Sequence, residues 1–525
     1  MRTNLHHLLE QSADRCGESA AVTFREVTVS YAELWRTTSL AAGGLQALGL
    51  ARDDRVGIYL DKRIETVAAI FGTSAAKGVF VPINHVLKAP QVGYILRDCD
   101  VRLLVTSQER LDLLREELNS CNALEHVVLV DAHDELPEDG DGYQVHAWSD
   151  LVAERSASIA RRVLPAVDLD MAAILYTSGS TGKPKGVVLS HRNLIVGAES
   201  VGSYLQNRAE DVILAALPLS FDAGFSQLTT AFAVGAHVIL LNYLLPGDLV
   251  KLCAAHKVTG LTGVPPLWLQ IADLEWPAEA TQHLRYFANT GGRMPKATLD
   301  RLRRIFPHAA PYLMYGLTEA FRSTYLDPAE VDRLPNSIGK AIPNAEIVVV
   351  RPDGTSCQPG EEGELVHRGP LVALGYWGDP VRTAERFKPA PGTRPEWRTP
   401  ELAVWSGDTV VTDDDGYLYF VGRRDEMIKT SGYRVSPTEV EEVAYDSGLV
   451  RDAVALGVDD DRLGQRIILL ATAANSHLDP SALIAHMRRK LPLYMVPASV
   501  EVWNQLPRSP NGKFDRVLLK SELNR

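Results

Sequence analysis

The sequence predicts a multi-domain α/β protein. A large amino-terminal domain combines parallel-sheet α/β subdomains with a β-rich subdomain, and a small α+β carboxyl-terminal domain follows. Strand-like and helix-like stretches alternate through the early chain, the texture turns to short β-rich runs near residue 337, and a compact helix–strand–strand–helix rhythm closes it. At 525 residues the chain is too long for one hydrophobic core, so at least two domains are required.

The elements follow in order. "YAELWRTTSLAAGGLQALG" has helical spacing and ends at Gly49; "RVGIYL" is a buried-strand run, "RIETVAAIFGTSAAKG" a helix and "VFVPI" a strand. "APQVGYILRDCD" and "VRLLVTS" repeat the pair, and such alternation implies a parallel sheet with crossover helices. The pattern resumes at "HVILL", "VTGLTGVPP" and "LRYFANTGG". In "EIVVVRPDGTSCQPGEEGELVHRG" two strands flank a "PDG" turn, and "GYLYFVGRR" is a further strand. The tail reads helix "PTEVEEVAYDSG", strands "VRDAVALGV" and "RIILLATA", helix "PSALIAHMRRKL". Its boundary is expected between Arg424 and Met427, giving domains 1–424 and 425–525; residues 388–401 read as a surface loop.

Composition narrows the function classes. With 46% hydrophobic and 23% charged residues the chain is neither disordered nor membrane-embedded, and a net charge of −12 argues against nucleic-acid or anionic-membrane partners. The amino terminus has no secretory pattern, and no apolar run reaches membrane-spanning length. Five scattered cysteines (Cys16, Cys99, Cys121, Cys253, Cys357) form no CxxC pair and read as free thiols, so a cytoplasmic location is expected.

The strongest chemical signal is "YTSGSTGKPKGV", residues 176–187. Gly179 and Gly182 allow tight turns that expose backbone N–H groups. Thr177, Ser178, Ser180 and Thr181 add hydroxyl donors, and Lys183 or Lys185 adds charge. That is phosphate-wrapping chemistry. It is not a Walker loop, because the spacing differs and Pro184 opposes a helix.

This run closely resembles the signature loop of the adenylate-forming superfamily: acyl-CoA synthetases, luciferases and peptide-synthetase adenylation domains. "YGLTE" (315–319), "GELVHRGPLVALGYWGDPVRTAERF" (363–387), "SGDTV" (406–410), "GYLYFVGRRDEMIKTSGYRVSPTEVEE" (416–442) and "LPRSPNGKFDR" (506–516) follow in family order. The pattern is most similar to AMP-forming ligases associated with exosortase loci. The resemblance implies attack of a substrate carboxylate on the α-phosphate of ATP, then displacement of AMP by a thiol.

Residue by residue, the resemblance implies that Glu319 orients Mg²⁺, Thr318 donates to phosphate, and Tyr315, beside Gly316, lies against adenine. Asp408 would accept the ribose hydroxyls, with Arg423 a second ribose contact and Arg434 a phosphate contact. Lys513 would bridge the substrate carboxylate and the α-phosphate. Asp425 matches a hinge about which the small domain rotates, bringing Lys513 in for adenylation and the "SGYRVSP" face in for thioester formation.

"LSFDAGFSQL", residues 219–228, falls at the acid pocket and places Asp222 in an apolar stretch, where a carboxylate needs a cation. It resembles the segment of amino-acid-activating domains whose aspartate pairs with the substrate ammonium. A second reading has Asp222 or Ser220 capping the following helix. Ala223, Ser226, Thr262, Ala288, Thr290, Gly291, Met314, Arg322 and Ser323 complete the expected pocket. Arg322 either meets a second substrate carboxylate or forms an internal salt bridge, with Asp222 as one candidate. Arg293 reads as a surface residue, and His191 as a helix-start or packing residue rather than a base.

With no carrier domain recognisable, the acceptor thiol is expected on another molecule, a carrier's phosphopantetheine or coenzyme A. The expected reaction is adenylation of a carboxylic acid, an amino acid first, with an acyl-CoA ligase for a non-amino acid as the alternative. Leu317, where many relatives have proline, and Arg322 put the choice of acid in question rather than adenylation.

Overall fold

The computed structural model describes residues 2–132, 136–153, 167–177, 184–242, 245–392, 401–423, 427–475, 477–507 and 514–523. The alternating stretches form two large sheets. In the nine-stranded sheet, Ala20–Phe24, His237–Leu240, Val212–Ala215, Gly260–Gly263, Tyr286–Asn289 and Ala310–Tyr315 run parallel, and antiparallel strands flank them at both edges. In the eight-stranded sheet, Val79–Pro82, Arg55–Ile58, Val101–Thr106, His126–Leu129 and Gln144–Ala147 are parallel. Beside Val79–Pro82 lies the antiparallel hairpin of Met171–Thr177 and Lys185–Ser190, with Gly375–Tyr376 as the edge strand. The phosphate-type loop thus connects two paired strands, with Thr177 and Lys185 at their facing ends.

The Asp222–Val234 helix shows why sequence and layer position agree. Every residue from Gly224 to Ala233 is buried, as expected for a helix apolar on all sides. Phe225 packs on Phe80 with centroids 5.2 Å apart and Phe232 on Phe71 at 5.3 Å, joining strands and helices of both sheets in one core. The helix stops at Gly235, whose φ of 87° suits glycine.

The β-rich region forms a third, antiparallel sheet of Glu346–Val350, Glu362–Arg368, Leu402–Thr412, Phe387–Pro389 and Leu418–Arg423. Lys388 and Pro389, at the start of the expected loop, are strand residues, because their backbone pairs with Ala403 and Leu402. The carboxyl-terminal rhythm appears as helix Pro437–Asp446, strands Val450–Asp460 and Gly464–Ala473, and helix Pro480–Lys490, around a separate core. The expected boundary segment, including Asp425, lies outside the described residues. No helix among them is long and apolar enough to cross a membrane. All five cysteines are free.

Candidate functional site

At the nucleotide end, Thr177 and Lys185 face each other across the hairpin. Ser178, Gly179, Ser180, Thr181, Gly182 and Lys183 lie outside the described residues. The Thr177 hydroxyl is buried with no hydrogen-bond partner among those described. The Lys185 ammonium lies 3.0 Å from Glu319 Oε1 and donates to Tyr376 Oη at 2.6 Å; the Tyr376 hydroxyl donates to the same Glu319 oxygen at 2.7 Å.

Burial pushes the Glu319 carboxyl toward protonation. The charges of Lys185, Arg386 and Arg434 and the Tyr376 hydroxyl outweigh it and hold its pKa well below the usual range. Lys185 is itself lowered by burial against the pull of Glu319. The second carboxylate oxygen, Oε2, is buried without a hydrogen bond among the described residues.

Backbone strain sits beside this cluster. Thr318–Ala320 form a single 3₁₀ turn, and Phe321 follows with φ 58° and ψ −60°, an uncommon conformation for a residue with a side chain. Its ring is fully buried against Gly197, where any Cβ would come within 2.5 Å of it. The kink separates Glu319, facing the nucleotide end, from Arg322, facing the acid pocket.

Tyr315, ending its strand just before Gly316, donates its hydroxyl to Asp408 Oδ2 at 2.5 Å, and both residues are buried. Asp408 stands opposite Arg423 in the strand register. The preceding Gly407, at φ +69°, would put a Cβ 2.6 Å from Arg386 Nη1, so glycine is required for the arginine to approach.

The acid pocket forms where strand ends meet the start of the Asp222 helix. Thr262 and Ala288 pair in register, with Thr290 beyond the strand end. Met314 accepts a hydrogen bond from Tyr204 Oη at 2.9 Å, and Tyr204 stacks on Tyr325 with centroids 4.2 Å apart. Ser226 is buried on the helix and Ala223 is half-buried near its start. Ser323 is fully buried, and its hydroxyl pairs with His367 Nδ1 of the β-rich sheet at 2.9 Å.

Two expectations about Asp222 are corrected. The helix N-cap is Phe221 with no side-chain cap bond; Asp222 is the first helical residue, and the Ser220 hydroxyl is buried without a partner. Nor do Asp222 and Arg322 form an ion pair closer than 4 Å among the described residues, although the arginine's charge acts on the carboxylate. Arg322 is 2% exposed; one Nη donates to the Thr290 hydroxyl and Nε has no partner. Burial raises the Asp222 pKa, opposed by Arg322 and by the helix N–H of Ala223.

A buried lysine that sequence reasoning passed over holds this end in place. Lys62 Nζ donates to the carbonyls of Ala216 at 2.8 Å and Leu217 at 3.1 Å, fixing the segment before Asp222, and burial lowers its pKa to about 7. Gly224 is required there, because a Cβ would lie 1.9 Å from the Pro218 carbonyl oxygen. His191 begins its helix, buried, with Nδ1 accepting from the Leu5 N–H at 3.2 Å, and burial lowers it to about 4. Arg293 is exposed.

The small domain meets the pocket through its 431–437 face. Gly432, at φ +80°, packs so closely that a Cβ would lie 2.9 Å from Val264, and its carbonyl faces Gly291, at φ +75°. Tyr433 stacks on Tyr494 and meets Phe221, the neighbour of Asp222, edge-on at 5.1 Å. Gln91 donates to Glu439 at 2.9 Å. Lys513 lies outside the described residues. Tyr376, Arg386 and Lys62 are the site residues that sequence reasoning missed. The first two stand inside a quoted motif run, where nothing local marks them.

Comparison with known proteins agrees with this geometry. The AMP-binding enzyme family matches residues 9–377, and the AMP-binding enzyme C-terminal domain matches 439–513. The chain belongs to the AMP-binding enzymes. It is 30% identical to the long-chain-fatty-acid–CoA ligase of Salmonella typhimurium, over 99% of this chain and 94% of that one. It is 31% identical to tyrocidine synthase 3 of Brevibacillus parabrevis over 98% of its length, but spans only 8% of that protein. Among solved structures, VinN in complex with L-aspartate is similar at 28% identity and TM-score 0.68, covering 80% of this chain and all of that one. The relatives that share this family are named as CoA ligases and peptide synthetases.

Proposed function

We propose that this enzyme adenylates an amino acid and transfers the aminoacyl group to the phosphopantetheine thiol of a separate carrier protein. Asp222 carries the reading. Its carboxylate stands at the pocket with no side-chain ion pair of its own, next to the segment held by Lys62, and so is available to a substrate ammonium. A buried carboxylate held by helix N–H groups but by no ion pair among the described residues still lacks a close counter-charge, which makes a cationic ligand its natural complement. The similarity to VinN, captured with an amino acid, and to a peptide synthetase supports it.

In this reading a substrate carboxylate oxygen attacks the α-phosphorus and the bond to pyrophosphate breaks. A thiolate then attacks the acyl carbon and AMP leaves. Lys185, Arg386 and Arg434 supply positive charge around the phosphates, and Lys513 bridges carboxylate and α-phosphate. Thr318 and the 177–182 loop donate to phosphate oxygens. The Tyr315 ring lies on adenine while its hydroxyl orients Asp408 toward the ribose, with Arg423 alongside. Glu319 Oε2, buried and without a hydrogen bond among the described residues, would hold Mg²⁺ as a hard-oxygen ligand, and the ion would supply positive charge at the phosphates. The docked 431–437 face corresponds to the thioester-forming arrangement, with rotation near Asp425 returning Lys513 for adenylation.

The test is ATP–pyrophosphate exchange with amino acids and their deaminated analogues, on wild type and Asp222→Ala, followed by thioester formation with coenzyme A and with a phosphopantetheinylated carrier. Exchange with amino acids alone, lost in the variant, and acylation of the carrier support the reading. Equal use of deaminated acids, with the variant merely less stable, favours the acyl-CoA ligase.

A further inference from the structure

Arg322, like Asp222, is a charge at the acid pocket that adenylation itself does not require. Its guanidinium is buried beside Thr290, opposite the start of the Asp222 helix. It makes one hydrogen bond to a hydroxyl, has no carboxylate within ion-pair distance among the described residues, and leaves Nε without an acceptor. An always-charged group kept dry in this way costs free energy that Thr290 alone does not return. Tyr204 lies near enough to feel its charge, and Tyr204 in turn stacks on Tyr325 and donates to Met314, none of them an anion. Among the described residues the arginine therefore has a hydroxyl partner but no anionic one, and its planar fork matches a carboxylate.

The neighbouring Asp222 makes the arrangement specific. The two residues carry opposite charges and feel one another, yet are held apart by more than the ion-pair limit. Had they closed on each other, the pocket would be neutral and suited to an apolar acid. Held apart, they present one anion and one cation, the complement of a zwitterion. The strained Phe321 backbone and the Gly224–Pro218 contact fix the two halves of this separation independently.

We propose that Arg322 binds a second carboxylate of the substrate, so that the acid activated here is an amino dicarboxylic acid. One of its carboxylates faces ATP, its ammonium faces Asp222 and its other carboxylate faces Arg322. This rests on the amino-acid reading of Asp222 and adds the side-chain class. Arg322 acts in specificity: the reacting carboxylate is not its ligand.

The test is a panel in ATP–pyrophosphate exchange: L-aspartate and L-glutamate, their near-isosteric amides L-asparagine and L-glutamine, and the deaminated diacids succinate and glutarate. Wild type is compared with Arg322→Met and Arg322→Lys. The expected result is a kcat/KM for the better acidic amino acid on the order of 10²-fold above its amide. Arg322→Met should collapse that ratio, chiefly through KM, and Arg322→Lys should restore part of it. Because the readout is a ratio of substrates on one preparation, partial unfolding of a variant does not imitate it. If wild type uses the amides as well as the acids, or Arg322→Met leaves the ratio unchanged, the proposal is overturned. If succinate or glutarate matches the amino diacid while the dependence on Arg322 persists, the amino-acid reading of Asp222 fails and the second-carboxylate role of Arg322 stands.

Discussion

The two ends of the cleft handle buried charge in opposite ways. At the nucleotide end, Glu319, Lys185 and Tyr376 close into a triangle of contacts between 2.6 and 3.0 Å, and Arg386 and Arg434 add to its field. At the acid end, Asp222 and Arg322 share a pocket without touching. The first cluster pairs its charges directly and leaves Glu319 Oε2 without a hydrogen bond among the described residues, an arrangement suited to a reaction in which similar phosphate charge must be met every time. The second leaves its charges for a ligand, which is how a pocket gains selectivity at the expense of stability. Only differential interaction with the correct acid returns that cost.

The largest expected effect breaks the nucleotide end. Glu319→Gln should lower adenylation by about 10²–10³-fold, since one preorganised charge at the phosphates is lost; pyrophosphate exchange at saturating acid measures it. Double-mutant cycles on stability sharpen the contrast. The cycle Lys185→Met with Glu319→Gln should show coupling of about 3 kcal/mol, as for a buried pair broken on one side. The cycle Asp222→Asn with Arg322→Met should show less than about 1 kcal/mol without substrate, because no direct bond is broken. Comparable coupling in both, by denaturant unfolding, would remove the distinction drawn here.

A smaller effect is expected for Tyr315→Phe. Losing one hydrogen bond to a charged acceptor should raise the KM for ATP by about 10-fold, with little change in the preference among acids. A further effect is a pH slope. The pKa of Lys62 falls from its ordinary value to about 7 on folding, so between about 7 and 10.5 the unfolded chain binds more protons than the folded one. Stability should therefore rise with pH through that window from this group. Lys62→Met should remove that part of the slope, read as the difference in melting temperature between the two proteins at pH 7 and pH 10.

Much of the site was legible because its residues sit in contiguous runs whose local chemistry is unusual. A loop of glycines, hydroxyls and lysines at 177–185, and an aspartate inside an apolar helix start at 222, announce themselves. Tyr376, Arg386 and Lys62 do not. Each is an ordinary residue in its own segment, and acquires a role only through a partner 57 residues away, as Tyr376 does with Glu319, or 154 away, as Lys62 does with the Ala216 carbonyl. Ser323 shows the converse: it stands in the expected place, yet its hydroxyl pairs with His367 in another sheet.

The sequence by itself determined the alternation of strands and helices, the small domain's helix–strand–strand–helix order, and the family. Those depend on local periodicity, turn residues and contiguous motifs. Tertiary structure alone decided whether Asp222 and Arg322 would neutralise each other. Their separation depends on a strained turn at Phe321, a carbonyl contact that admits only glycine at 224, and a lysine from a different sheet. Charge pairing is a matter of ångströms between groups a hundred residues apart, and no local pattern encodes that distance.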